Sequence, residues 1–206
     1  RTWIGREETR CDIITPELTR RFCATLALDC TVPASGEPAP RLIHFCLAQP
    51  AVRADGLGAD GHPRKGGFLP PVDLPRRMWA GGSVRFSGEL RVGEEVLRTS
   101  RIADIKEKTG RSGRLFFVTV DHEVLGSAGS VTERQDIVYR EAATGPVAAS
   151  ASASAPAPKG QLTEELVADA TLLFRYSALT FNGHRIHYDR SYATGTEYYP
   201  GLVVHG

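Results

Sequence analysis

Histidine is the side chain best suited to acid–base chemistry near neutral pH, and this chain concentrates it at one end. Three of its six histidines, His184, His187 and His205, fall within the last 23 residues. His184 and His187 are three residues apart with no Glu between them, and Asn182 and Asp189 would be poor further ligands, so the spacing does not predict a zinc site. The glycines of this segment form no phosphate-binding loop, and the chain has no GxSxG nucleophile elbow. We therefore expect no metal ion here.

A biased segment divides the chain into two predicted units. Residues 142–159 are almost entirely Ala, Ser, Gly and Pro, a composition that buries too little apolar surface to offset its ordering entropy. We interpret 142–159 as a linker between units 1–141 and 160–206. In the second unit we predict a helical stretch at Thr163–Ala168 and a strand at Thr171–Tyr176. A unit of this size is small for independent folding, so either it packs on the first unit or the natural protein continues beyond residue 206, and we expect the second.

The first unit has a helix pattern followed by strand patterns. Thr15 and Pro16 are typical of a helix N-cap and first turn, and Leu18, Phe22 and Leu26 recur at a spacing of four. From Gly82 onward, apolar residues alternate with polar ones in three stretches separated by glycine-containing turns, the last at Val131–Tyr139: an antiparallel meander. The order of helix then strands predicts the α+β class.

The most specific motif lies in the second unit. Residues 176–189 read YSALTFNGHRIHYD, and 201–206 read GLVVHG. This run resembles the hydratase motif of the MaoC-like (R-specific) enoyl-CoA hydratases, which have the hot-dog fold. The likeness is greatest to the double hot-dog branch of mesaconyl-C4-CoA and itaconyl-CoA hydratases and 3-hydroxyacyl-thioester dehydratases. More diffusely, residues 68–82 (FLPPVDLPRRMWAGG) and the run QDIVYR at 135–140 resemble the non-catalytic N-terminal half of that branch.

The resemblance implies an architecture. Each hot dog is an antiparallel sheet wrapped around a helix, so residues 1–141 would be a non-catalytic N-terminal hot-dog domain. Residues 160–206 would begin a C-terminal catalytic hot dog that is incomplete in this chain. Single hot dogs of the family pair, so the two halves resemble a covalent version of that pair, and we expect a homodimer of the whole chain.

The resemblance also implies an activity and a site. The activity is a hydro-lyase that reversibly adds water to an α,β-unsaturated acyl-CoA thioester, with His187 transferring protons and the Gly206 backbone N–H stabilising charge on the thioester oxygen. Asn182 stands where the wider family has Asp and cannot act as a base. Either its amide holds the water, or Asp189 supplies a carboxylate, or Asn182 merely closes a turn with Gly183. Substrate-lining roles are expected for four residues: His184, Arg185, Asp189 and Tyr176.

The composition of the chain argues against nucleic acid and membranes as partners. The 25 basic and 24 acidic residues leave a net charge of +1, without the basic excess of nucleic-acid binders, and no apolar run is long enough to span a bilayer. The four cysteines are too sparse for a disulfide scaffold, so we expect reduced thiols and a cytoplasmic protein. CoA enters as part of the substrate, and no cofactor is implied. The alternatives are a hot-dog acyl-CoA thioesterase and a non-catalytic scaffold or partner subunit of an active hydratase.

Overall fold

An antiparallel sheet of five strands forms the main layer of the protein. The computed structural model describes residues 2–29, 34–110, 113–145, 158, 160–163 and 165–206. The strands, in spatial order β1-β3-β4-β5-β2, are β1 (Glu7–Ile13), β2 (Arg76–Gly88), β3 (Glu95–Gly110), β4 (Gly113–Leu125) and β5 (Gly129–Arg140). Strands β3, β4 and β5 pair in chain order as a meander, and β4 and β5 coincide with two of the three predicted stretches. The first predicted stretch begins in β2, which was expected to precede them in that meander. However, β2 pairs with β5 at the opposite edge, because β1, a charged strand that was not predicted, pairs with the free side of β3.

Helix α1 (Pro16–Leu26) packs on one face of this sheet. It begins where the sequence predicts, because the Thr15 side chain accepts a hydrogen bond of 3.0 Å from the Leu18 backbone N–H. Its buried Phe22 belongs to an apolar cluster that also contains Val96 and Val124. A second apolar cluster, around Ile102, Val118 and Tyr139, covers another part of the sheet. The helix on an antiparallel sheet confirms the predicted α+β class.

Buried polar residues of strands β3 to β5 accompany these apolar clusters. His122 Nδ1 lies 2.8 Å from Ser100 Oγ and 3.3 Å from an Arg98 guanidinium nitrogen. His44 Nε2 lies 3.8 Å from the Glu133 carboxylate, and both side chains are less than 10% exposed. Burial raises the pKa of Glu133 and lowers the pKa of His44 to about 4. The first unit therefore holds its own histidines in the neutral form.

The second unit departs from its predicted secondary structure. The segment predicted as a strand, Thr171–Tyr176, lies inside helix α2 (Ala170–Leu179), because Asp169 caps that helix by accepting a 2.8 Å hydrogen bond from the Leu172 N–H. The predicted helix at Thr163–Ala168 is wrong, since its described residues are not helical. A second helix, α3 (Arg190–Gly195), follows a 3₁₀ turn at Arg185–His187.

Two further predictions concern the linker and the cysteines. Most of the predicted linker, 146–157 and 159, lies outside the described residues. Cys11 and Cys46 are free thiols, but Cys23 is disulfide-bonded, so the prediction of reduced thiols is wrong for Cys23. None of the helices in the described part of the chain has the length and apolar character needed to cross a membrane.

A buried ion pair joins the two units. The Arg76 guanidinium on β2 donates to the Glu197 carboxylate, which follows α3, and a second guanidinium nitrogen donates to the Glu197 carbonyl at 3.3 Å. Both side chains are 9% exposed. The Tyr192 hydroxyl donates to the other Glu197 oxygen at 3.3 Å. The second unit is thus held against the sheet of the first by a nearly solvent-free contact.

Removing one member of this pair should be strongly destabilising. We expect Glu197→Ala to lower the free energy of unfolding by about 3–5 kcal/mol, because it leaves the buried Arg76 charge uncompensated. The double variant Arg76→Met/Glu197→Leu removes both charges and should stay within about 1 kcal/mol of the wild type or exceed it. Urea denaturation measures both. If the single variant is as stable as the double one, the pair does not hold the units together.

Candidate active site

The motif of the second unit folds into a compact turn between α2 and α3. Asn182 accepts a hydrogen bond on Oδ1 from the His184 backbone N–H at 3.0 Å, while its own N–H donates to the Ser177 carbonyl at 2.8 Å. This side-chain turn brings the chain back from the end of α2 into the 3₁₀ turn that carries His187. The Asn182 oxygen is therefore engaged in the backbone turn, and its amide N–H groups remain as donors.

His187 is buried, with 6% of its surface exposed. Its Nδ1 lies 2.8 Å from the Val203 carbonyl, which can only accept, so Nδ1 carries the proton and Nε2 is the acceptor in the neutral ring. The Val203 N–H in turn donates to the Ile186 carbonyl at 3.0 Å, which fastens residues 201–206 to the motif. Burial lowers the pKa of His187, partly offset by the Val203 hydrogen bond. The ring is thus a neutral base whose Nε2 has no hydrogen-bond partner among the described residues.

His205 stacks on this ring. The two imidazole centroids are 3.8 Å apart with an interplanar angle of 18°, and His205 Nε2 lies 2.8 Å from Ser177 Oγ on α2. Tyr176, which precedes Ser177 on α2, also contacts His205 edge-on, with ring centroids 4.9 Å apart. Burial lowers the pKa of His205 to about 4 and raises the pKa of Tyr176 to about 12. The structure therefore brings Tyr176 to the site through His205.

Arg185 and Asp189 bind each other. Asp189 Oδ2 accepts from two Arg185 nitrogens at 3.0 and 2.7 Å, and Oδ1 caps α3 by accepting from the Tyr192 N–H at 3.0 Å. These hydrogen bonds, the Tyr192 one first, hold the pKa of Asp189 below its usual value. Arg185 also donates to the Ala59 carbonyl at 3.1 Å. Both residues thus have partners that fix the turn against the first unit.

Gly206 lies beside the exposed ring of Trp79, where the register of β2 shifts. A Cβ on Gly206 would stand 2.4 Å from Trp79 Cε3, so no larger residue fits without movement. Within the described residues, no acceptor binds the Gly206 N–H. This backbone donor follows His205 directly and lies next to the stacked histidines.

The first unit contributes a loop that the sequence did not predict to be part of the site. Gly61, at φ +88°, packs its backbone against that of Gly183, where a Cβ on Gly61 would fall 1.9 Å from the Gly183 oxygen. The Arg185 N–H donates to the Asp60 carbonyl at 2.9 Å. His62, next to Gly61, therefore meets His184 with ring centroids 4.2 Å apart. The His184 ring in turn lies 5.5 Å from the His187 ring.

Asp60 and His62 form a hydrogen-bonded pair within this loop. Asp60 Oδ2 lies 2.9 Å from His62 Nδ1, and Oδ1 accepts from the His62 backbone N–H at 3.1 Å. Burial would raise the pKa of Asp60, but the hydrogen bonds and charge of His62 hold it far below its usual value. In the motif, Asn182 stands five residues before His187, whereas the residue five before His62 is Leu57. The motif spacing therefore gave no indication of this pair. Asp two residues before His, with Gly between them, is the local pattern that could have indicated it.

Three side chains of kinds that can bind metal ions come together here: Asp60, His62 and His184. One ligand atom from each lies within 4.8 Å of the others. The Asp60–His62 hydrogen bond already joins two of those groups through a ring N–H, and a metal on Nδ1 would have to displace that proton. We therefore interpret the group as a hydrogen-bonded pair beside a second imidazole, that of His184.

A cationic cleft adjoins the site. It has a volume of about 420 Å³ and is lined by residues of both units, including Asp60 of the first and Glu197 of the second. Basic side chains from both the loop and β2 line it: Arg64, Lys65, Arg76 and Arg77. Lys65 donates to the Val72 and Leu74 carbonyls. A cleft of this charge next to the histidines suits an anionic group attached to a reacting molecule.

Comparison with protein families gives one match over most of the chain. The family model described as hydroxyacyl-thioester dehydratase type 2 matches residues 42–206. The mesaconyl-C(4)-CoA hydratase of Chloroflexus aurantiacus is 46% identical over 209 residues, covering 99% of this chain and 73% of that protein. The mitochondrial hydroxyacyl-thioester dehydratase type 2 of Schizosaccharomyces pombe is 57% identical over 35 residues, or 17% of this chain and 12% of that protein.

Solved structures agree on the fold. A MaoC-like dehydratase superposes with a TM-score of 0.63 at 12% identity, covering 98% of this chain and 73% of that one. HtdX of Mycobacterium tuberculosis has a TM-score of 0.60 at 17% identity, covering 98% of this chain and 71% of its own. At these identities the likeness concerns the fold alone, and it confirms the predicted hot-dog architecture.

Proposed function

The chain belongs to the family of type 2 hydroxyacyl-thioester dehydratases, and from that premise we propose that it is a hydro-lyase acting on acyl-CoA thioesters. The reaction is the reversible addition of water to an α,β-unsaturated acyl-CoA. The observation that carries the proposal is His187, a buried neutral imidazole whose Nδ1–H is bound to Val203 and whose Nε2 is free to take a proton. A base of this kind activates water near neutral pH.

His187 handles the proton in both halves of the reaction. As the water oxygen bonds to the β-carbon, one O–H bond breaks and its proton passes to His187 Nε2. The π electrons move toward the thioester oxygen. The His187 imidazolium then returns the proton to the α-carbon, so that water is added in full and the ring is neutral again.

Two other groups support this step in the proposal. The Gly206 N–H donates to the thioester oxygen as negative charge gathers there, and glycine allows the carbonyl to approach closely. The Asn182 amide donates to the water, since its oxygen is engaged by the His184 N–H. Tyr176, His184, Arg185 and Asp189 shape the surrounding pocket, the last two through their mutual ion pair.

The acyl group, the location and the assembly are also part of the proposal. The 46% identity to a mesaconyl-C(4)-CoA hydratase supports a mesaconyl-type substrate, ahead of itaconyl- or simple enoyl-CoA. No cofactor is needed, since CoA arrives with the substrate. We propose a homodimer in the cytoplasm, where CoA thioesters are handled, and light scattering with size-exclusion chromatography measures the mass.

The test uses protein expressed from the complete gene. It is incubated with mesaconyl-, itaconyl- and crotonyl-CoA, and the products are followed by mass spectrometry. We expect a product heavier by one water with the thioester intact, formed fastest from mesaconyl-CoA. Release of free CoA without hydration would indicate a thioesterase, and no reaction with any of the three would indicate a scaffold or partner subunit.

A further inference from the structure

Activation of water by the motif alone leaves one requirement unmet. A water that attacks the β-carbon must be held by acceptors for both of its hydrogens, so that an oxygen lone pair points at the carbon. His187 Nε2 provides one acceptor. Asn182 turns its oxygen toward the His184 N–H and so offers its amide N–H groups to the water, and both oxygens of Asp189 are bound by Arg185 and the start of α3. The second acceptor has to come from another group.

Three other histidines lie near His187, and two are poor acceptors for this purpose. His205 is stacked on His187 and its Nε2 is bound to Ser177. His184 has no partner in the described part of the chain that fixes which ring nitrogen carries the proton, so neither nitrogen is held as an acceptor. His62, whose ring centroid lies 4.2 Å from that of His184, is the remaining imidazole.

His62 has the features of an oriented acceptor. The Asp60 carboxylate accepts from Nδ1–H at 2.9 Å, which leaves Nε2 unprotonated, and no described residue occupies Nε2. Burial keeps the ring neutral, against the opposite effect of Asp60, with the pKa lowered to about 4. The Gly61–Gly183 backbone contact fixes the loop, so the ring position is set by the tight junction of the two units.

We propose that His62, held by Asp60, is a second catalytic residue of the hydration site, accepting a hydrogen bond from the attacking water opposite His187. This inference rests on the hydratase function proposed above. The pair takes the place of the carboxylate that Asn182 lacks, and it comes from the unit expected to be non-catalytic. His62 gains no proton over the reaction: the water O–H bond that breaks is the one to His187, and that proton ends on the α-carbon.

Two substitutions at His62 separate this role from a structural one. The amide of His62→Asn can replace Nδ1–H and keep the Asp60 hydrogen bond, but it leaves nothing at Nε2. The longer His62→Gln places its carboxamide near the Nε2 position, where its oxygen can accept from water. With the wild type active, we expect kcat for hydration to fall about 10²-fold or more in the Asn variant, with KM nearly unchanged, and to fall less in the Gln variant.

Asp60 is a positioning residue in this proposal, and its test is the tautomer of His62. The amide introduced by Asp60→Asn can donate to Nδ1, which moves the ring proton to Nε2 and removes the acceptor. We expect Asp60→Asn to lower kcat about as much as His62→Asn while leaving KM and the melting temperature nearly unchanged. Asp55→Asn is the matched control, since Asp55 is exposed in the same loop region and pairs only with Arg53 among the described residues.

The outcomes are distinct for the two proposals. If the wild type hydrates none of the thioesters, the function and this inference both fail. If the wild type is active and His62→Asn keeps at least half of its kcat, only the inference fails. It also fails if the Asn variant is as active as the Gln variant or more so, since a structural role depends on the Asp60 bond. Circular dichroism and thermal unfolding identify a variant that has lost its fold, and in that case Asp60→Asn decides.

Discussion

His187→Asn is expected to lower kcat for hydration by about 10²–10⁴-fold while KM changes little, because the transferred proton loses its acceptor. The substitution is chosen to preserve the fold. An Asn amide can take the place of Nδ1 and still donate to the Val203 carbonyl, so residues 201–206 stay fastened to the motif. Steady-state hydration assays with the best thioester measure the effect, with Ser191→Ala, an exposed position on α3, as the control.

The pH dependence gives an independent check on the same residue. Burial lowers the pKa of His187, and the ring works as a base only when unprotonated. The rate of hydration should therefore be constant across neutral pH and decline as the pH falls through a value below 6.5.

Either of two results would contradict the assignment of His187. One is a His187→Asn variant that retains about a tenth or more of wild-type kcat, and the other is a wild-type pH profile that declines on the alkaline side only.

Acid should begin to destabilise this protein below about pH 6.5, before its carboxylates titrate. The pKa of each of its six histidines is lowered, with burial as the largest cause. Their folded-state pKa values, where defined, are about 4 for His44, His62 and His205, about 3 for His122 and about 2 for His184. The unfolded chain binds these protons near pH 6.5 and the folded protein does not. Stability is therefore fully present above about pH 6.5 and falls as the pH drops toward about 4.

The free energy of unfolding lost in acid is expected to be large compared with the total stability of a domain. One histidine whose pKa falls from 6.5 to about 4 costs the folded state about 3 kcal/mol of stability by the time the pH has dropped from neutral to about 4. Domains are typically stable by only about 5–15 kcal/mol, so a few such residues suffice to unfold the protein before about pH 4. Urea denaturation at a series of pH values from about 7.5 to about 4.5 measures the slope.

A variant that lacks one histidine shows how much a single ring contributes to the pH dependence of the free energy of unfolding. His122→Gln retains a polar group beside Ser100 and should make the free energy of unfolding less steeply dependent on pH, by up to about 1.4 kcal/mol per pH unit. His122 lies in the sheet, away from the proposed water, so activity reports separately on the site. A free energy of unfolding that stays constant from about pH 7 to about 4.5 would mean that these histidines are protonated in the folded state.

Local sequence determined several elements correctly because their causes lie within a few residues. Thr15 caps α1 through a bond to Leu18, and the alternating residues of β4 and β5 point one set of side chains to the core. The turn that carries His187 is equally local, since Asn182 binds a backbone N–H two residues away. These features need no contact from a distant part of the chain.

Two short segments, one apolar and one mostly polar, have secondary structures that the sequence did not predict. Thr171–Tyr176 has the length and residue types of a strand as much as of a helix, and the Asp169 cap decides in favour of α2. Strand β1 has mostly polar and charged residues, and it becomes a strand only because the free edge of β3 supplies its hydrogen bonds. Pairing partners of this kind are not visible in a local window.

The sequence by itself determined the family motif and the α+β class, and it singled out His187 as the residue proposed for proton transfer. Only the tertiary structure decided that the loop around Gly61 meets Gly183, and that Asp60 and His62 therefore lie beside His184. The physical reason is that spacing along the chain predicts contacts within a turn or a strand. A contact between two loops from different units depends on backbone approach at two glycines and on the buried Arg76–Glu197 pair, which form only when the units pack.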